Sequence, residues 1–152
     1  DSLEISSNQE RLAGYTKAHN DHGLTVDEAL IKVTGYTVMD GYRGAVGLLS
    51  SPQRPSAVVT ANNFMTTGFL LAAHDMGIVI PDAISLIGFD ELDWYKLTNP
   101  PITTIAQPIK RIGQEVSRLL LSRMASKGEI THPETVLLST HLTHRNSTRK
   151  FA

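Results

Sequence analysis

The sequence predicts an α/β domain, a doubly wound parallel sheet, and three observations carry that reading. Short apolar runs alternate with segments of helical periodicity along nearly the whole chain. The runs are continuously apolar rather than alternating, as in Ser56-Ala-Val-Val-Thr-Ala61 and Ser85-Leu-Ile-Gly-Phe-Asp90, which is the pattern of strands covered on both faces. A helix between successive strands also supplies the right-handed crossover that parallel pairing requires.

Each element has a local reason. Ser7-Asn-Gln-Glu10 has the capping-box pattern, so a helix is expected from about Asn8 to Asp21, with Leu12, Tyr15 and His19 on one face and Gly23 as its stop. Ala29 to Gly35 reads as a short strand. Thr37-Val-Met-Asp40 repeats the capping pattern with aspartate in the glutamate place, and Met39, Tyr42, Val46 and Leu49 follow at helical spacing. Ser50 to Pro55 is a polar loop marked by proline. After the strand Ser56–Ala61, Asn62 and Asn63 offer capping side chains, Asn63 the more strongly, to a helix carrying Met65, Phe69, Ala72, Ala73 and Met76 and stopped by Gly77. Pro81-Asp82 turns into the strand Ile84–Phe89. A further strand is expected near Thr103–Ala106. A long helix follows through Ile109, Ile112, Val116, Leu119 and Leu120 to about Lys127-Gly128, and a last strand covers about Val136–His144.

Composition narrows the function. The chain has 152 residues and 41% apolar content, enough for one domain with a core and ordinary for a globular protein. No apolar run approaches the roughly 20 residues of a membrane helix, so no membrane partner is expected. A net charge of -1 and a pI near 6.6 argue against this chain alone gripping a phosphate backbone. There is no cysteine, which removes disulfides, iron–sulfur ligation and a thiol nucleophile and fits a reducing cytoplasm.

Candidate binding residues cluster at predicted strand ends, where open α/β sheets take ligands. Asp90 ends a buried strand; its carboxylate suits a pair of ligand hydroxyls or, alternatively, a loop hydrogen bond. Asn62 lies at the equivalent edge of the preceding strand and serves either a hydroxyl or a helix cap. Tyr36 follows a short strand and suits stacking on a sugar ring or a base, or simple packing. Arg11 sits in the first turns of a helix, where its charge meets the positive end of the helix dipole. A partner is therefore expected, either a bound ligand or a carboxylate such as Asp90. Trp94, the single tryptophan, fits a cleft or, preferably, a subunit contact.

Other chemistries find little support. His19 and His22 have no third ligand at zinc spacing, so no metal is expected. Asp90, Glu91 and Asp93 lack the glycine-rich loop and lysine of a phosphoryl-transfer site, and Ser50-Ser51 lacks a nucleophile elbow. Without a base, a metal partner or a phosphate loop, no enzyme and no cofactor are expected.

Four stretches, in order and at matching spacing, resemble the lactose-repressor (LacI/GalR) family of bacterial transcription regulators: Arg11-Leu-Ala-Gly-Tyr15, Ala57-Val-Val-Thr-Ala-Asn62, Ser85-Leu-Ile-Gly-Phe-Asp90 and Pro101-Ile-Thr-Thr-Ile-Ala-Gln107. The tail Leu142-Thr-His-Arg-Asn-Ser-Thr148 resembles the family's Arg-x-Ser-Thr ending. The resemblance implies a periplasmic-binding-protein-like effector core. It implies a small sugar-like effector held by Arg11, Tyr36, Asn62 and Asp90 with accessory contacts from Ser7 and Gln107. It implies a homodimer through Thr67, Trp94 and Leu97, and operator DNA contacted only through a headpiece absent from this chain. By the same resemblance, residues 1–102 and 138–152 form the C-terminal lobe, its first strand missing, while 103–137 belong to the N-terminal lobe. That would leave Ile109, Ile112, Val116 and Leu120 exposed. Asn63 stands where many members have aspartate, Gly35 where a polar or acidic residue precedes the aromatic, and Ile5 where purine-responsive members use arginine. The last departure puts a neutral sugar or sugar derivative ahead of a purine. A periplasmic sugar receptor for transport or chemotaxis is the alternative.

Overall fold

The computed structural model describes residues 5–125 and 132–150. Its helices are α1 (Ser6–Asp21), α2 (Val38–Leu49), α3 (Asn63–Asp75) and α4 (Ile109–Ala125), and its strands are β1 (Ala57–Val59), β2 (Ser85–Phe89), β3 (Thr103–Ala106) and β4 (His141–Thr143). They form one open sheet in the order β1-β2-β3-β4. β1, β2 and β3 run parallel, with Val58 opposite Leu86 and Phe89 opposite Ile105. β4 joins β3 antiparallel, pairing Leu142 with Ile105.

The core lies on one face of this sheet. Ala45, Leu49, Phe69, Ala72, Ala73, Ile84, Leu86, Tyr95 and Ile102 form a single buried cluster. Leu86 faces it from β2, and α2 and α3 lie over it. Strand alternation turns Val59, Ile87 and Phe89 to the other face, where Val59 is exposed and Ile87 and Phe89 are half-buried. The two covering helices approach closely at Gly41 and Gly68: a Cβ on Gly68 would stand 2.4 Å from the backbone of Tyr42 and Val38.

Several predicted signals act as expected. Thr37 and Asp40 form the full reciprocal capping box of α2. Gly23 and Gly77 follow the C-caps of α1 and α3 at φ +67° and +63°, the left-handed conformation that ends a helix at low cost for glycine. Ile109, Val116 and Leu120 are exposed and Ile112 is half-buried, with no residue of α4 buried. The expected end of that helix, near Lys127-Gly128, lies outside the described residues.

Other expectations are corrected. Ser7 does not cap α1. The helix starts at Ser6, Ile5 occupies the cap position and no side chain closes it. The strand expected over Ala29–Gly35 is absent. Asp27 accepts a hydrogen bond from the Ala29 amide and nucleates a 3-10 turn, Glu28–Leu30. The residues after it meet no strand, because the sheet ends at β1. The last strand is short, with Leu137 92% exposed ahead of it, and its antiparallel sense makes the sheet mixed rather than wholly parallel.

The tail after β4 is tied to the strands that deliver the site. The Arg145 amide donates to Thr103 Oγ1 at 2.9 Å and the Asn146 amide to the Pro101 carbonyl at 3.1 Å. Ser147, fully buried, accepts from the Thr103 amide at 2.8 Å and donates to the Leu86 carbonyl at 2.6 Å. The Leu86 amide in turn donates to the Ser147 carbonyl at 2.8 Å. Ser147 therefore satisfies β2 just before β3 begins, which is why a serine suits this buried position.

Candidate effector site

The C-terminal ends of β1, β2 and β3 present Asn62, Asp90 and Gln107, and α1 crosses beside them. Asn62 caps α3: its Oδ1 accepts from the Met65 amide at 2.9 Å, while its amide nitrogen is not part of that cap. Asn63 is the first residue of the helix rather than its cap.

Arg11 reaches from α1 over the strand ends. Its guanidinium donates to the Ala61 carbonyl at 2.8 Å and to Asn8 Oδ1 at 3.4 Å, and it lies 3.9 Å from the centre of the Phe89 ring. A planar cation over an aromatic face is held by the ring quadrupole. Among the described residues no carboxylate partners Arg11; the Ala61 carbonyl, the Asn8 side chain and the Phe89 ring hold it instead. Tyr36 is 39% exposed, and its hydroxyl accepts from Asn8 Nδ2 at 2.7 Å.

Arg11, Tyr36, Asn62 and Asn8 line one cavity of about 610 Å³, together with Phe89 and Ile105. This is within the size range of small-molecule sites. Its walls mix apolar strand and helix residues with these few polar groups. Asp90 and Gln107 are not among the residues that line it; they follow the lining residues Phe89 and Ile105 by one and two positions and form a bonded pair, Gln107 Nε2 donating to Asp90 Oδ1 at 2.6 Å. Asp90 is the one non-glycine residue among those described with a positive φ, +72°. Aspartate tolerates that conformation better than most residues. Ser7 stays exposed on the first turn of α1, and the structure does not bring it into the cavity.

Asn8 escaped the sequence reading. It sits between Arg11 and Tyr36 and bonds to both. Its i,i+3 spacing from Arg11 put it on the same helix face, a signal masked by the serine beside it.

The alternative clusters separate. Glu91 pairs with Arg145, whose Nη2 lies against Glu91 Oε1 and whose Nη1 is 3.2 Å from Oε2. Asp93 pairs with Lys96 at 3.3 Å on the surface. His19 Nδ1 lies 3.0 Å from the Tyr15 carbonyl, and no group of metal-ligating side chains occurs among the described residues. Among the described residues no helix is long and apolar enough to cross a membrane. Of the proposed contact residues, Trp94 is 38% and Leu97 84% exposed. Thr67 is half-buried and donates to the Asn63 carbonyl at 2.8 Å.

Arg145 first, with help from the Thr104 hydroxyl, holds the Glu91 carboxyl below its ordinary pKa against a burial effect in the other direction. A group depressed in the folded state contributes stability that is present above its unfolded pKa and is lost as pH falls through the folded value. Glu91→Gln is therefore expected to flatten the loss of stability on acidification below about pH 4, measured by urea unfolding between pH 7 and pH 3. An unchanged pH slope in that variant would contradict the pairing.

A family model for the periplasmic binding protein-like domain matches residues 4–148. The chain belongs to that family. Among curated relatives, the HTH-type transcriptional repressor PurR of Escherichia coli O139:H28 is 34% identical over 145 residues, 95% of this chain. The chain spans 42% of the length of that relative. Among solved structures, the transcription regulator CcpA of Lactococcus lactis superposes with a TM-score of 0.85 at 26% identity, covering 97% of this chain and 53% of that one. A CelR–cellobiose complex gives 0.82 at 32% identity over 91% of this chain and 42% of that one. A LacI-family regulator of Enterococcus faecium with bound ribose gives 0.78 at 28%, over 91% and 50%. The resemblance to the lactose-repressor family and the periplasmic-binding-protein-like fold are thus borne out. Within this periplasmic-binding-protein-like chain, the cavity under Arg11 and Tyr36 is the natural place to look for a ligand.

Proposed function

We propose that this chain is the effector-binding and dimerisation region of a LacI-type transcriptional regulator, with a sugar or sugar derivative as effector. The observation that carries the reading is the convergence of Arg11, Asn8, Tyr36 and Asn62 on one cavity, with the bonded Asp90–Gln107 pair one and two positions beyond its lining residues Phe89 and Ile105. A guanidinium, two carboxamides and a phenol around apolar walls suit the hydroxyls and the apolar faces of a sugar, with the Asp90 carboxylate one residue beyond the lining residue Phe89. Ile5 rather than a cation at the start of α1 favours a neutral ligand. Two structural neighbours hold sugars, cellobiose in one and ribose in the other, which points the same way.

In this reading residues 1–102 and 138–152 act as one lobe; β3, expected with 103–137 in the other, pairs with β2 in the same sheet, which leaves α4 as the part of that segment assigned to the other lobe. The protein works in the cytoplasm as a homodimer through Thr67, Trp94 and Leu97, and a headpiece outside these residues contacts operator DNA. Ligand and DNA prefer different conformers, coupled reciprocally by about 1–3 kcal/mol. No cofactor and no enzymatic step enter. The repressor and regulator relatives favour this over a periplasmic transport receptor.

A thermal-shift screen of sugars, sugar acids and purines, with Asp90→Ala as control, tests it. A ligand at about 100 times its dissociation constant adds roughly 2.7 kcal/mol to the folded state. A sugar hit lost in Asp90→Ala is expected; a purine hit, or a sugar hit indifferent to that substitution, would overturn the reading.

A further inference from the structure

We infer that Arg145, in the C-terminal tail, is a positioning residue for Asp90, holding through Glu91 the turn on which the Asp90 carboxylate stands. The inference rests on the proposed role of Asp90 in the site.

Asp90 is held at φ +72°, a conformation that a non-glycine residue keeps only when its surroundings over-determine it. Three tethers do so. The Asp90 amide donates to the Ile105 carbonyl at 3.0 Å, and its carboxylate accepts from Gln107 at 2.6 Å. The third tether acts on the next residue. Both oxygens of Glu91 face the Arg145 guanidinium, and the Thr104 hydroxyl donates to one of them. A guanidinium engaging both oxygens fixes direction as well as distance, and consecutive Cα atoms are only about 3.8 Å apart. The Glu91 clamp therefore restrains the turn from which the Asp90 carboxylate is presented, and Gln107 holds the carboxylate itself.

The clamp is itself rigid. Arg145 is 14% exposed at its side chain, its Nη1 donates to the Ile102 carbonyl at 2.6 Å, and its amide is held by Thr103. Lys96, 4.0 Å from Glu91 Oε1 and 53% exposed, is a weaker second cation. The tail thus bridges β2 and β3, the strands that deliver Asp90 and Gln107. Arg145 touches neither the cavity nor Asp90.

The test reads the geometry without a ligand. In the uniformly 15N-labelled chain, the Gln107 side-chain amide proton donated to Asp90 should resonate at low field, and Asp90→Ala should identify it by moving it. Glu91→Gln and Arg145→Gln are expected to move it in the same direction in a protein that otherwise keeps its folded spectrum. The charge-exchanged pair Glu91→Arg with Arg145→Glu should return it towards the wild-type position. Ser147→Ala, which loosens the tail but leaves the ion pair, should lower Tm without moving it. A second arm titrates cellobiose and D-ribose: affinity for whichever binds should fall about tenfold in Arg145→Gln. If neither sugar binds the wild type while the Gln107 signal still responds, the positioning role stands and cellobiose and D-ribose are excluded as the effector. A Gln107 signal unmoved in both Glu91→Gln and Arg145→Gln would overturn the positioning role, as would one that follows Ser147→Ala equally.

Discussion

Gly68→Ala is expected to destabilise the domain by about 2 kcal/mol. The added methyl would stand 2.4 Å from the Tyr42 nitrogen and the Val38 oxygen and 2.7 Å from the Gly41 carbonyl carbon. All three are backbone atoms of α2 and its cap region, with no rotamer by which to retreat. Relief requires α2 and α3 to separate, and between them lie Ala45, Phe69 and Ala72. Overpacking of this kind costs about 1–3 kcal/mol, and a contact this close belongs at the upper end. The better helix propensity of alanine returns only about 1 kcal/mol, so the steric effect wins. Gly47, also within α2, has nothing within 4 Å of its added Cβ, so Gly47→Ala should be neutral or stabilising by up to about 1 kcal/mol. Urea unfolding of the two variants checks both signs. Equal stabilities would show that the helices do not interlock as described.

Arg11→Ala should weaken effector binding by roughly tenfold to a hundredfold, the range of about 1.5–3 kcal/mol for hydrogen bonds made by a charged group. The guanidinium is aimed before any ligand arrives, by the Ala61 carbonyl, Asn8 and the Phe89 ring, so little ordering cost remains at binding. Arg11→Lys should recover little. An ammonium lacks the planar fork that donates to a carbonyl and a ligand at once, and it stacks less well on the ring. Calorimetric titration of the three proteins with the effector found by screening decides the matter. Full recovery by lysine would mean that charge alone is used there.

Much of the fold was legible because its signals are local. The Thr37–Asp40 box and the glycines after α1 and α3 need only neighbours a few residues away, and they act as read. The apolar runs that became β2 and β3 are legible because burial on a sheet leaves a continuous pattern; β1 carries the same pattern, but Ala57 and Val59 are exposed and Val58 is half-buried, because the core covers one face of the sheet. The failures come where a distant partner decides. Residues 29–35 have strand composition but no strand beside them, so the Asp27 cap prevails. The antiparallel sense of β4 depends on the route of the tail around the start of β3, which no periodicity encodes.

The site divides in the same way. Arg11, Tyr36 and Asn62, picked out by predicted element ends and family motifs, line one cavity and Asp90 does not, and none of their partners is legible in the sequence. That Arg11 rests on Phe89 and Ala61, and that Glu91 belongs to Arg145, 54 residues away, follow from the sheet order alone. Asn8, in place of the exposed Ser7, shows how a one-residue shift in a helix start rotates the choice of site residue by about 100°.

The central claim, that a sugar-like effector binds at the C-terminal edge of this sheet, is tested most directly by mapping amide chemical-shift changes on the 15N-labelled chain during titration with the effector found by screening. The account predicts the largest changes at Asn8, Arg11, Tyr36, Asn62 and Asp90, all lost together in Asp90→Ala. Changes centred instead on the exposed face of α4 or on Trp94 and Leu97, with the strand ends silent, would contradict it.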